Sequence, residues 1–410
     1  MKRSRIWVRV AVPAVIGLVT ASACASSSAP SASSTTKGVT NTSINVAGIV
    51  SKPTFAAAMQ GAQARFDREN AAGGVYGRKI KIVDTADDKF DPTTNVQEVR
   101  RVLSSGNVFA MVPVVTVVLA ASDYLTQQKV PFFGWGISSG FCGNAYGYGF
   151  TGCVAPKVPV YGNSFMPEAG AKALGKNPKG LTVGIIAEDT DAARSGLGTL
   201  GAAAQSLGMK VVYSKGVVPA PPATVGDFAP FSQAIMTSNN GAPPDIVIML
   251  FASIPSTLGL QAALQASGFK GVIENTQTYD PQLAAPSKGD SVYVQFGAFE
   301  TADTVPGVKQ MVTDLKAAGA PLGVLSAVGY LSADMFIAAL KKAGKNLTTD
   351  SFQKAAGTLA YNVPNTVGPT TFPQDSVQPS VCGTLVTSNG TGYDVTVPYF
   401  CGQAVKGPGS

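Results

Sequence analysis

Histidine is absent from all 410 residues. Without an imidazole there is no Ser-His-Asp or Cys-His route to an activated nucleophile. The five cysteines include no C-x-x-C pair, so a zinc site has neither its usual nitrogen nor its usual sulfur ligands. Charged residues make up only 13% of the chain, and its body has no basic run and no interleaving of basic and aromatic residues. That composition argues against a nucleic-acid partner. No Walker sequence is present, and the acids show no distinctive pairing for carboxylate-driven hydrolysis. No catalytic residue, cofactor or metal is expected; what remains is a chain that binds rather than converts.

The N-terminus is a different kind of segment from the body. Lys2, Arg3, Arg5 and Arg9 precede an apolar stretch at 10–19 that Pro13 interrupts. A membrane-spanning helix needs roughly 20 apolar residues, so a secretory signal fits better. Ala21, Ser22 and Ala23 then lead into Cys24, and small residues before a cysteine resemble the lipobox of bacterial lipoproteins. The resemblance implies a signal peptide at 1–23, with Cys24 lipidated and held on the extracytoplasmic face of the cell membrane. Residues 24–42 are rich in serine, threonine, alanine and proline and read as a flexible tether. Removing 1–23 leaves 27 basic against 24 acidic groups, so the formal +7 falls to +3.

The densest information lies at 69–92, ENAAGGVYGRKIKIVDTADDKFDP. Gly73 and Gly74 can adopt the left-handed backbone that ends a helix. Gly77 reverses the chain into a strand at 79–83, and Asp91-Pro92 supplies an N-cap and a first-turn proline. The order N-x-x-G-G-x-x-G-R, strand, D-D and D-P resembles the first lobe of the leucine/isoleucine/valine-binding-protein family. Members of that family are extracytoplasmic solute receptors of ABC importers with the type 1 periplasmic-binding-protein fold. The resemblance covers about residues 43–373.

Periodicity independently gives alternating elements. Strands are predicted at 43–50, 79–83, 108–112, 131–134, 181–187, 210–212, 245–251, 271–274 and 291–296. Helices are predicted at 55–71, 93–104, 119–128, 195–207, 228–237 and 254–266 between them. Alternation of this kind means parallel sheets flanked by helices. Fold class is therefore α/β, with two doubly wound parallel-sheet lobes joined by a hinge and a ligand cleft between them. Lobe 1 is assigned 43–160, lobe 2 161–300, return segments with helices at 307–318, 326–343 and 349–359 to 301–373, and a disulfide-bonded C-terminal appendage to 374–410. Setting Cys24 aside, Cys142, Cys153, Cys382 and Cys401 allow three pairings. The local pairs Cys142–Cys153 and Cys382–Cys401 are favoured in an exported chain.

Ligands of open α/β sheets bind beyond the carboxyl ends of strands. The strand-exit loops nominate Thr54 and Phe55, then Thr116, then Trp135, Gly136, Ile137 and Ser138 in lobe 1. In lobe 2 they nominate Ser195, Ala252, Ser253 and Tyr279. The family resemblance implies that Thr116 and the 136–139 loop form an anion cradle; N-capping is the competing role for Thr116 and Ser138. Val225 stands where leucine-type receptors place the acid for a substrate ammonium. Asp87 and Asp88 read as capping or hinge residues. Gly196, Gly198 and Gly201 spell G-x-G-x-x-G, but no strand directly precedes them and no acid follows before Asp227, so helix packing is the better account. The expected function is solute binding for an ABC permease as a monomer, for an amino acid, amide or small organic acid. A membrane-tethered sensor of the same fold is the alternative.

Overall fold

A computed structural model describes residues 36–157 and 161–407. The expected signal segment and Cys24 lie outside them. Lobe 1 begins with β1 (Ser43–Val50), whose eight residues are all buried, as befits a central parallel strand. It continues through α1 (Ala57–Ala71), β2 (Lys79–Asp87), α2 (Pro92–Leu103), β3 (Ala110–Val115), α3 (Ser122–Gln127), β4 (Phe132–Gly134) and β5 (Gly147–Gly149). These strands form one sheet in the order β2-β1-β3-β4-β5, every pair parallel. The 69–92 stretch folds as its residues dictate. Gly74 sits at φ +76°, where an added Cβ would meet the Arg78 carbonyl oxygen at 2.1 Å. Asp91 caps α2 by accepting the Thr94 N–H at 2.6 Å, with Pro92 in the first turn.

Lobe 2 contains β6 (Tyr161–Asn163), α4 (Phe165–Ala173), β7 (Thr182–Glu188), α5 (Asp191–Ser206), β8 (Lys210–Val218), α6 (Ala229–Met236), β9 (Ile246–Leu250), α7 (Ile254–Ala266), β10 (Val272–Asn275) and β11 (Ser291–Val294). The chain then returns to lobe 1 as α8 (Pro306–Ala317), α9 (Val324–Ala343), α10 (Thr349–Ala356) and the hairpin β12 (Ala360–Val363) and β13 (Val367–Thr371). It ends in β14 (Cys382–Ser388), β15 (Tyr393–Cys401) and β16 (Ala404–Lys406). The second sheet has the order β15-β14-β11-β10-β9-β7-β8.

Three sequence expectations need correction. Residues 374–410 are not an appendage: β14 pairs antiparallel with β11 and β15 with β14, and β16 pairs with β6. β14 covers an edge that β11 would otherwise expose. Residues 36–42 of the expected tether are docked, with the Thr36 hydroxyl on the Leu347 carbonyl at 3.2 Å and Val39 bridged to Ile44. Helix α5 starts at Asp191 rather than 195, because Thr190 caps it by accepting the Ala193 N–H at 3.1 Å. The disulfides join Cys142 to Cys153 and Cys382 to Cys401, the second across paired positions of β14 and β15.

Lobe 1 owes its core to α9, which is long and apolar enough to cross a membrane but is mostly buried against the sheet. Phe336 on α9 meets Phe66, Phe109, Phe133 and Phe352, with ring centroids 5.3–6.4 Å apart. α1 crosses α9 at bare backbone. A Cβ on Gly61 would lie 1.8 Å from the Ser326 carbonyl oxygen, and one on Gly329 1.9 Å from that of Ala58. The same helices share a buried ion pair, Arg65 Nε to Asp334 at 2.5 Å, with Glu69 at 3.1 Å from the guanidinium.

Candidate functional site

The carboxyl ends of both sheets face each other across a cleft. On lobe 1 the exits run in sheet order from Asp87–Phe90 after β2, through 51–55 after β1 and 116–119 after β3, to 135–139 after β4. On lobe 2 they run from the residues after β8, past Glu188 at the end of β7 and 251–253 after β9, to Thr276 and Gln277 after β10 and Gln295 after β11. Two hollows lie in series along this trough.

The first is a cavity of about 150 Å³ at the β3–β4 end. Val117, Trp135, Ile137, Val154 and Ala155 form its lobe 1 wall, and Leu250, Phe251 and Ala252 face them from lobe 2. Its depth comes from the helices: Met166 on α4 and Leu200 on α5 form the apolar floor, beside Asn163 and Tyr293. Trp135 is 5% exposed, and its Nε1–H donates to Gln295 Oε1 across the cleft at 2.8 Å. The second hollow, about 650 Å³, lies at the β1–β2 end between Lys52, Thr54, Lys89 and Phe90 on one side and Pro222, Val225, Phe228 and Ser253 on the other.

Glu188 lies beneath the partition between the hollows. Its two carboxylate oxygens accept the N–H groups of Ala252 at 2.8 Å and Ser253 at 3.0 Å. Burial pushes its carboxyl up to about 7, against the opposing pull of those two hydrogen bonds. Deeper in the lobe, Glu274 on β10 is fully buried with no hydrogen-bond partner for either oxygen among the described residues, and burial raises it well above the ordinary carboxylate range. Gly170 on α4 makes room for it; a Cβ there would lie 2.2 Å from Glu274 Oε1.

The sequence candidates distribute unevenly over this geometry. Trp135, Ile137 and Ala252 line the first cavity, while Thr54 and Ser253 line the second hollow. Ser253 also caps α7 by accepting the Ser256 N–H at 3.1 Å. Thr116 is fully buried: its Oγ1 accepts the Val118 N–H at 3.0 Å and stands 3.1 Å from the Ser51 hydroxyl oxygen. Ser51 in turn donates to Asp88, whose carboxyl burial also raises. Ser138 Oγ accepts the N–H of Leu119 at 3.2 Å and of Gly140 at 3.5 Å. Gly136 packs on the Gly152 carbonyl and donates its N–H to Thr151. Phe55 is a buried ring against Phe90. Ser195 points from within α5 to the Pro156 carbonyl at 2.5 Å. The Tyr279 hydroxyl, in the core, donates to Glu300 at 2.6 Å and accepts the Phe299 N–H. None of these six lines either hollow.

Gln277 and Gln295 are not among the sequence candidates although each stands at a strand exit, as Glu188 does at the head of the 188–196 loop, so the rule that nominates Trp135 reaches them too. Met166 had no such signal, because α4 was not read as a helix. Among the described residues no group of three or more His, Cys, Asp or Glu side chains is placed to hold a metal ion.

Comparison with known proteins agrees with this architecture. Residues 45–392 match the family model described as periplasmic binding protein. A Leu/Ile/Val-binding protein homolog 8 of Brucella abortus (strain 2308) is 28% identical over 316 residues, covering 73% of this chain and 75% of that protein. The fatty acid ABC transporter substrate-binding protein from Thermomonospora curvata superposes with a TM-score of 0.71 at 21% identity, covering 89% of this chain and 94% of its own. An ABC-transporter solute binding protein of R. palustris, in complex with 4-hydroxybenzoate, gives a TM-score of 0.68 at 18% identity, with 88% and 98% covered. The chain belongs to the periplasmic binding protein family, with leucine/isoleucine/valine-binding-protein-like members as its relatives, and is a solute-binding protein of that type.

Proposed function

We propose that the chain is the extracytoplasmic receptor of an ABC importer and takes up a small molecule with an apolar body. The observation that carries this reading is the first cavity. Both lobes contribute apolar side chains to it, so a solute there is buried only when the lobes are together. A cavity of about 150 Å³ is the size of an engineered apolar void that binds benzene, so the body is a single ring or a short chain. The ligands named for the Thermomonospora curvata and R. palustris proteins both have apolar bodies, which is the part of the likeness carried over. Val225 lies in the other hollow, and the one carboxyl among the described residues lining the cavity, Glu188, is pushed up to about 7 and so offers an ammonium a weak counter-charge; free α-amino acids are therefore poor candidates.

Binding follows as hinge closure that selects the closed arrangement. Among the described residues the chain passes between the lobes after β11 and after β13, and these segments contribute to the hinge. A lipid on Cys24 would keep the receptor beside its permease; that part rests on the sequence of 1–24 alone. Thermal-shift screening of residues 25–410 tests the binding reading, because a solute at 100 times its Kd adds about 2.7 kcal/mol. Stabilisation by ring and short-chain compounds supports it; stabilisation only by free amino acids contradicts it. Mass spectrometry of membrane-extracted protein tests the anchor through the acylated Cys24 peptide.

A further inference from the structure

We infer that the second hollow is a binding site of its own, for an amphipathic anion whose charged group lies by Lys52 and Lys89 on lobe 1 and whose apolar part lies against lobe 2. It goes beyond the solute proposed for the first cavity and does not depend on it.

The hollow measures about 650 Å³ against about 150 Å³ for the first cavity, so it has room for a body larger than a single ring. Its charge is one-sided. Lys52 and Lys89 line it from lobe 1, while no charged residue among those described lines it from lobe 2. There Pro221, Pro222, Val225 and Phe228 form an apolar wall.

The two lysines are gathered by one carboxylate oxygen. Asp87 Oδ1 accepts the backbone N–H of Lys52 at 3.0 Å and that of Lys89 at 3.2 Å, joining the exits of the paired strands β1 and β2. Asp88 braces the same two segments from beneath, its Oδ1 accepting the Ser51 hydroxyl at 2.6 Å and the Phe90 N–H at 3.0 Å. The backbones are thus fixed side by side, and both side chains are exposed. Neither ammonium has a hydrogen bond or ion pair among the described residues. Asp87 is the one acid among the described residues lining the hollow, and it pairs with neither. Two cations against one acid leave an excess of positive charge that an anionic group satisfies. An inorganic anion would leave the lobe 2 wall uncovered, and a neutral apolar molecule would leave the ammoniums without a partner. An amphipathic anion meets both walls and holds the lobes together.

The test is fluorescence titration of the full chain at pH 7 with anilinonaphthalenesulfonate and with phenylnaphthylamine, the same rings without the sulfonate. The sulfonate should bind about fivefold or more tightly than the neutral amine. Lys52→Gln/Lys89→Gln should weaken the sulfonate by about the same factor and leave the amine within about twofold. Added salt should weaken the sulfonate on the unmodified chain and have little effect on the variant. Equal binding of the two probes, binding of neither, or undiminished sulfonate affinity in the variant overturns the anion site and leaves the reading of the first cavity standing. Should the variant fail to fold, the order of the two probes and the salt dependence on the unmodified chain decide alone.

Discussion

The hydrogen bond from Trp135 to Gln295 joins the lobes at the cavity wall, and its loss should be felt as lost affinity. In Gln295→Leu the indole N–H remains in place, 5% exposed as a residue, with no acceptor. An unpaired buried donor costs about 1–3 kcal/mol. When the lobes part, water satisfies the same N–H, so the penalty falls on the closed arrangement. Each 1.4 kcal/mol is a factor of ten, so the closed fraction falls roughly 5- to 150-fold and the apparent Kd rises by up to that factor. Trp135→Phe removes the donor but keeps a ring against the solute, and should cost about 1 kcal/mol. The double variant should cost less than the two single costs combined, because the bond is already gone. Calorimetry with the best solute from the thermal-shift screen, repeated on all four proteins, gives the cycle. Small-angle scattering reports opening in parallel. Strict additivity of the two changes, or unchanged affinity in Gln295→Leu, would refute the interlobe role of this bond.

Three further outcomes follow from the same structure. Thr116→Val should lower stability by about 1–3 kcal/mol, since the Val118 N–H and Ser51 lose a partner, and should leave solute affinity within twofold; denaturant unfolding and calorimetry separate the two. Glu188 has its carboxyl raised to about 7, so its contribution is complete below the unfolded value near 4.3 and is lost as pH rises through 7. Stability of the wild-type chain minus that of Glu188→Gln should therefore fall by about 3 kcal/mol between pH 4 and 8, and a flat difference curve contradicts the assignment. Gly329→Val should destabilise by about 3 kcal/mol or more, measured by unfolding, because its side chain would enter the Ala58 carbonyl and force α1 off α9.

How far the sequence could be read depends on whether the deciding interaction is local. The turn and cap at 69–92 were legible because left-handed glycines and an Asp-Pro cap act within a few residues. The parallel order of lobe 1 follows from alternation for the same reason. The C-terminal strands were not legible as part of lobe 2, since only the tertiary pairing of β14 with β11 reveals their place. Thr116 and Ser138 show the limit at the site. Their position at strand exits is readable, but whether a hydroxyl meets a solute or closes its own loop depends on the neighbours that folding supplies. Here Ser51 and the Val118 N–H take Thr116, and the Leu119 and Gly140 N–H groups take Ser138.

Glu188 ties the chemistry of the cleft to its shape. The peptide groups it holds belong to Ala252, which lines the first cavity, and Ser253, which lines the second hollow and caps α7. The partition between the two hollows is thus fastened by a carboxyl rather than by packing alone. A hydrophobic replacement would leave two buried N–H groups without acceptors, so the site retains an acid in apolar surroundings at the expense of a raised proton affinity.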